Sequence, residues 1–286
     1  MKICYFCRGE PDTIHVGVRD NPKINVLKCK ECGLVYLSSF EHIDDEFYED
    51  GQMLGENFDI YSYLEATKSD DVRRAEYLKS TLKGKRILDV GCGGGGFLNL
   101  TKDDAKVAHG VELNKTLCEH INNRGHVNVK CFQSIDNIDE KYDIITLFHV
   151  IEHFPDPISI LRKLSSHLVD GGCILLETPN SDDALLSMYG SSSFADFTYW
   201  SCHLFLFDPQ TLESLVKSLD MNARCEYIKQ VQRYPLSNHL HWLAKSKPGG
   251  HEKWCYLSNE LLDMHYESAL AALGRCDTLM ASIVFN

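Results

Sequence analysis

Arg86-Ile87-Leu88-Asp89-Val90-Gly91-Cys92-Gly93-Gly94-Gly95-Gly96-Phe97 decides how this chain is read. Ile87, Leu88 and Val90 predict a short buried strand. The glycines that follow let backbone pass close to a ligand, where any Cβ would collide. Phe97, Leu98 and Leu100 then resume at helical spacing, so the unit reads strand, glycine turn, helix. Gly91, Gly93 and Gly96 satisfy the G-x-G-x-x-G pattern, which by itself fits several nucleotide ligands. Asp89 narrows the choice. A carboxylate two residues before the first glycine would repel a pyrophosphate.

Val107 to Leu113 reads as a second strand carrying Glu112, about twenty residues beyond the loop, where a carboxylate can hold ribose hydroxyls. Acids on both sides favour a nucleoside that brings positive charge. S-adenosylmethionine does so through its ammonium and sulfonium groups. Leu88-Asp89-Val90-Gly91-Cys92-Gly93, followed by Gly110-Val111-Glu112, resembles the first two motifs of class I S-adenosylmethionine-dependent methyltransferases. Tyr142-Asp143-Ile144-Ile145 through His149-Val150-Ile151-Glu152-His153-Phe154-Pro155-Asp156-Pro157 is similar to the fourth strand of that family and its exit. The resemblance spans residues 70–232. It implies a Rossmann-like α/β fold, a seven-stranded sheet with helices on both faces, and S-adenosylmethionine as cofactor. The implied cofactor contacts are Asp89, Gly91, Cys92, Gly93, Gly95, Glu112, Leu113, Ser134, Phe148 and His149.

The pattern along the chain agrees with that class. Strands are expected near 86–90, 107–112, 128–132, 142–149 and 173–178, alternating with helices near 96–103, 115–124 and 157–168. A helix is expected to start near Ser69, with Asp70 and Asp71 in its first turn. Asp208 should cap another that has Pro209 at its first position. Residues 223–231 read as a sixth strand, 258–273 as a helix, and 278–285 as the antiparallel seventh strand that the family places last. The expected methyltransferase domain covers 69–286, with acceptor-site insertions at 181–204 and 232–256.

Four cysteines give a second signal. Cys4-x-x-Cys7 and Cys29-x-x-Cys32 are close pairs, each followed shortly by a glycine, a spacing that lets four thiolates converge on one tetrahedral ion. Residues 1–38 are therefore expected to form a small ribbon around a structural zinc. Residues 39–68 follow as an acidic, aromatic linker or lid. The eight other cysteines are scattered and read mostly as core.

The chain has 286 residues, 29 basic and 41 acidic side chains, and a formal net charge of −12. That balance argues against a broad nucleic-acid surface. No stretch approaches the roughly 20 apolar residues of a membrane span, and no signal peptide is evident. A cytoplasmic protein with reduced cysteines is expected.

Ligands in such sheets lie beyond the carboxyl ends of the strands. His153 is the first candidate for a general base and His203 the second; a histidine that only orders a loop is the plainer alternative. Glu152 with His153 also resembles the metal-contacting pair of some ubiquinone-pathway O-methyltransferases. Acceptor contacts are expected from Asn180, Tyr199, Trp200, Arg233, Asn238, His239 and Trp242. The segment 234–251 resembles a stretch in bacterial surface-polysaccharide methyltransferases, so the expected acceptor is a sugar or sugar nucleotide methylated on oxygen. C- or N-methylation of a sugar, ribosomal RNA methylation and a non-enzymatic cofactor-binding scaffold are the competing readings.

Overall fold

The computed structural model describes residues 3–43 and 58–285. Seven strands build the main sheet: β4 (Arg86–Val90), β5 (Val107–Val111), β6 (Val129–Phe132), β7 (Tyr142–Phe148), β8 (Leu168–Pro179), β10 (Ala223–Val231) and β11 (Thr278–Phe285). Their spatial order is β10-β11-β8-β7-β4-β5-β6. β4, β5, β6, β7 and β8 pair in parallel. β11 runs antiparallel to both neighbours, β8 and β10. The Rossmann-like seven-stranded sheet expected from the glycine loop is therefore present. Central strands are apolar on both faces because helices cover both, and Ile87, Leu88 and Ile145 are fully buried.

The first helix, α1 (Ile60–Leu82), begins well before Ser69, because the Asp59 side chain caps it by accepting the Ser62 N–H at 2.8 Å. Asp70 and Asp71 consequently sit inside the helix, where macrodipole help is absent and partners must come from elsewhere. Helices α2 (Gly96–Thr101), α3 (Lys115–Asn123) and α4 (Pro157–Ser165) link the parallel strands. The stretch 181–204 contains α5 (Ala184–Ser187) and α6 (Ser192–Thr198). Beyond it, α7 (Pro209–Lys217) carries the expected Asp208 cap as a full capping box with Thr211. The stretch 232–256 contains α8 (Leu236–Lys245) and α9 (Gly250–Lys253), and α10 (Glu260–Leu273) leads into β11. Among the described residues no helix is long and apolar enough to cross a membrane.

The N-terminal segment forms β1 (Pro11–His15), β2 (Val26–Cys29) and β3 (Val35–Leu37), all antiparallel. Its fourth strand is β9 (Phe205–Leu206), which follows the 181–204 stretch and pairs with β3. Tyr36, Phe205 and Phe207 are fully buried within one apolar cluster that continues into the main sheet. Residues 3–38, within the segment expected to form a zinc ribbon, thus share both sheet and core with the rest of the chain. Such a short segment buries too little apolar surface by itself. Of the expected linker at 39–68, Phe47 and Tyr48 lie outside the described residues, whereas 60–68 belong to α1.

Candidate functional site

The carboxyl ends of β4, β5, β7 and β8 open into one cavity of about 860 Å³. Its floor is the glycine turn between β4 and α2. Gly91, Gly93 and Gly95 adopt positive φ, which excludes most side chains. A Cβ on Gly91 would lie 2.5 Å from Val150 Cγ2, and one on Gly93 would lie 2.3 Å from the Tyr63 hydroxyl. This turn admits backbone only, and Tyr63 of α1 lies against it.

Acids surround the turn. Asp89 is almost wholly buried and accepts the Thr146 hydroxyl at 2.7 Å. Burial pushes its pKa up to about 7, against the hydrogen bond from Thr146 and the charge of Arg74. Glu112 accepts the Gly93 N–H and the Asn114 N–H, both at 2.9 Å, and burial raises its pKa. The carboxylate thereby locks the turn to the end of β5.

Beside the turn, an ion-pair lattice joins α1 to the strand ends. Glu177, on β8, is fully buried and accepts Arg73 at 2.7 and 3.0 Å and Arg74 at 2.7 Å. Burial alone would raise its pKa, but these two guanidinium groups hold it below the ordinary range. Asp70 pairs with Arg233 and with Arg73; burial opposes its ionisation, yet the Arg233 charge outweighs it and the pKa is about 2. Arg233 also reaches His149 Nε2 at 3.1 Å. His149 sits at φ 57°, directly after β7, with its Nδ1 3.4 Å from Glu152. Burial first, then the Arg233 charge, holds His149 neutral far below its usual pKa. Glu152 is driven the other way, to about 8, by the same burial, so it is protonated at neutral pH.

Both expected base candidates line the cavity, with ring centroids 5.1 Å apart. His153 Nδ1 contacts the Cys202 carbonyl at 2.8 Å, and burial lowers its pKa to about 4. His203 Nδ1 is buried with no hydrogen-bond partner among the described residues. His203 is likewise held neutral, through burial first and then the nearness of a second imidazole, His153, and of the Arg19 and Arg233 charges. His153, Cys202 and His203 bring one donor atom each within 4.8 Å of one another. Among the described residues Glu152 is not part of that metal-capable group, contrary to the pairing the resemblance implied.

Of the expected cofactor contacts, Asp89, Gly91, Cys92, Gly93, Glu112, Leu113, Ser134, Phe148 and His149 line the cavity. Gly95 does not. It caps α2 in a left-handed conformation, where a Cβ would strike Ile121. Of the expected acceptor contacts, Trp200, Arg233, Asn238, His239 and Trp242 line the cavity, whereas Asn180 and Tyr199 lie outside it. The Asn180 amide donates to the Cys276 carbonyl at 2.8 Å, because the strand exits at β8 and β11 leave that carbonyl in need of a donor. Tyr199 is buried against His15 of β1, which places it in the N-terminal sheet contact. Two of these side chains also have protein partners: Asn238 Oδ1 accepts the Gly250 N–H, and His239 Nδ1 meets the hydroxyl of Tyr266 in α10 at 2.8 Å.

Asp70, Asp71, Arg73 and Arg74 were not foreseen as wall residues. Their signal was present as two acid-base pairs three residues apart on one helix face, but the choice of Glu177 and Arg233 as further partners is tertiary. Arg19, which also lines the cavity, was not foreseen either.

The Cys4, Cys7, Cys29 and Cys32 sulfurs lie within 4.8 Å of one another. Cys4 and Cys32 sulfurs are 3.5 Å apart, and Cys7 and Cys29 sulfurs 3.4 Å. Tetrahedral thiolate ligation of zinc spaces sulfurs at about 3.8 Å, given Zn–S bonds of about 2.3 Å. A Cβ on Gly9 would lie 3.2 Å from both Cys7 and Cys29 sulfurs, so this glycine leaves the sulfurs room to converge. The donor set can hold a metal ion.

Residues 62–226 match a family described as a methyltransferase domain. A ubiquinone biosynthesis O-methyltransferase of Vibrio vulnificus (strain YJ016) is 32% identical over 183 residues, covering 58% of this chain and 76% of the relative. Another, from Coxiella burnetii (strain RSA 493 / Nine Mile phase I), is 31% identical over 117 residues, covering 37% of this chain; the chain thus spans about half (50%) of that relative's length. Among solved structures, the plantazolicin methyltransferase BpumL in complex with SAH aligns with a TM-score of 0.53 at 18% identity, covering 85% of this chain and 93% of that one. This last likeness shows the fold.

The ion-pair lattice makes a prediction independent of function. Arg233→Gln leaves the partly buried Asp70 with Arg73 as its remaining partner and should cost about 1.5–3 kcal/mol in denaturant unfolding. Asp70→Asn combined with Arg233→Gln should recover a large part of that loss, and strict additivity of the two single changes would refute the coupling.

Proposed function

The chain belongs to the methyltransferase-domain family, and from that premise we propose that it methylates a hydroxyl oxygen on a small, ring-shaped acceptor using S-adenosylmethionine. One observation carries this reading: a backbone-only turn flanked by Asp89 and Glu112 shares a single cavity with His203 and the aromatic side chains Phe194, Phe197, Trp200 and Trp242. The names of the O-methyltransferase relatives favour a hydroxylated aromatic ring over the sugar expected from segment 234–251. The hydrogen bonds of Asn238 to Gly250 and of His239 to Tyr266 support the same choice, since those groups already have protein partners.

The glycine turn and its acids suit the cofactor. Asp89 would meet positive charge, Glu112 would meet ribose hydroxyls, and Gly91 and Gly93 leave room that a Cβ would fill. The cofactor, when bound, supplies an electrophilic methyl group on a sulfonium. The protein's part is to orient the acceptor hydroxyl in line, to exclude water, and to take the hydroxyl proton as the new O–C bond forms. We assign the proton to His203, since an orphaned ring nitrogen in the wall lacks the partner that His153 finds in the Cys202 carbonyl. His153 then acts by holding that carbonyl and the loop that bears His203. We assign the four-cysteine cluster to a structural zinc, because four sulfurs leave no open coordination position.

Three outcomes test these assignments. Release of S-adenosylhomocysteine from S-adenosylmethionine and a catechol or sugar panel should depend on His203. His203→Ala should lower turnover by about 10² or more while S-adenosylhomocysteine affinity stays near that of the parent; undiminished turnover would remove His203 as base.

The second concerns pH. Only the ionised form of Asp89 attracts a cation, and its pKa in the free protein is about 7. Cofactor affinity should therefore be full at pH 8 and weaken below pH 7, approaching about tenfold per unit. Asp89→Asn should bind more weakly at pH 8 and lose that slope; an unchanged slope in the variant would contradict the role.

The third concerns the metal. Protein purified without added metal should retain about one zinc per chain, and stripping it with a chelator should lower the thermal midpoint. A chain that carries no zinc, or that is indifferent to its removal, would sink the assignment.

A further inference from the structure

Four cationic side chains line the cavity: Arg19, Arg74, Lys163 and Arg233. Three are already neutralised. Arg74 pairs with Glu177 at 2.7 Å, Lys163 with Asp136 at 2.6 Å, and Arg233 with Asp70. Arg19 has no carboxylate within ion-pair distance among the described residues, and its guanidinium makes no hydrogen bond among them.

Its position is nonetheless fixed. The Arg19 backbone N–H donates to the Tyr199 carbonyl at 2.8 Å. The next residue, Asp20, accepts both the Ser201 N–H at 3.0 Å and the Ser201 hydroxyl at 2.6 Å. The guanidinium carbon lies 4.4 Å from the Trp200 ring and 5.0 Å from the Phe197 ring. Flat rings hold the guanidinium by its face and leave the N–H donors at its edge for a partner. An unpaired, oriented fork of donors matches the two oxygens of a carboxylate or phosphate.

Charge is distributed unevenly along the cavity. The glycine turn is flanked by Asp71, Asp89 and Glu112, whereas Arg19 lies over the Trp200 ring, which packs against His203. A ligand beside Trp200 would meet an aromatic ring, a neutral imidazole and a cation that has no carboxylate partner among the described residues.

We infer that the methyl acceptor carries an anionic group, a carboxylate or a phosphate, which Arg19 of the N-terminal sheet binds while Trp200 covers the acceptor's ring. This rests on the methyltransferase reading above and adds to it the charge class of the substrate. It also gives the cysteine-bearing segment a part in acceptor selection, because Arg19 lies in the loop between β1 and β2.

The test uses the full chain saturated with S-adenosylhomocysteine and isothermal titration of two matched pairs. One pair is 3,4-dihydroxybenzoate against catechol; the other is glucose 1-phosphate against glucose. The parent protein should bind at least one anion about tenfold or more tighter than its neutral match. Which pair shows the preference separates a ring carboxylate from a sugar phosphate. Arg19→Gln should abolish the preference without altering S-adenosylhomocysteine affinity or the thermal midpoint, and Arg19→Lys should restore part of it.

Failure of S-adenosylhomocysteine to bind would overturn the methyltransferase reading and this inference with it. Normal binding of S-adenosylhomocysteine with no anion preference in the parent would overturn the inference alone. A preference that survives in Arg19→Gln would do the same.

Discussion

Glu177 ends a central strand with a carboxylate that water cannot reach, and a buried carboxylate needs compensating charge. Arg73 and Arg74 supply it from successive positions of α1. The consequence reaches beyond one ion pair. A helix that must present two guanidinium groups to the end of β8 has its position and rotation fixed across the strand ends. Tyr63 then falls against Gly93, Asp71 falls against Gly96, and Arg74 lies 4.5 Å over the Phe148 ring. A hydrophobic replacement of similar volume could serve packing equally well, but it would not set the helix register. The lattice is best understood as positional.

Burial also sorts the ionisable groups of the cavity by sign and state. Glu177 and Asp70 remain charged because arginines face them. Asp89 and Glu152 lack a guanidinium at contact distance, and desolvation raises both. The three histidines His149, His153 and His203 are all kept neutral. A cation entering near Asp89 therefore finds an acid that gains its charge on binding, and a hydroxyl entering near the imidazoles finds proton acceptors that are not already protonated. Both states follow from the same exclusion of water.

Much of this architecture was legible locally. The strand at 86–90, the glycine turn, Glu112, the Asp208-Pro209 helix start and the last strand each depend on neighbours within a few residues, and each appears where the sequence placed it. The start of α1 was misplaced because acids at 70 and 71 mimic a first turn, while the true cap, Asp59, lies behind an aromatic run that lacks clear periodicity. The two-residue strand β9 had no signal at all; it exists because β3 offers an open edge. Asn180, at the exit of the fifth parallel strand, and Tyr199, in the following insertion, were expected as acceptor contacts, yet neither lines the cavity. Their partners, Cys276 and His15, are about a hundred residues or more away in sequence, and no local pattern reveals such pairings.

The N-terminal sheet links these two levels. Its edge strand β3 is completed by Phe205 and Leu206, and its loop holds residues 199 and 201 through Arg19 and Asp20. His203 lies between those two attachments. Short strands and isolated loops are weak unless something anchors them, so the stretch carrying Trp200 and His203 takes its order from a sheet whose other end is gathered by four cysteines. An ion at those sulfurs would stabilise the stretch that carries Trp200 and His203 while touching nothing in the cavity. The two halves of the cavity therefore have separate supports: ion pairs through α1 on the side of the glycine turn, and the cysteine-bearing sheet on the side of His203.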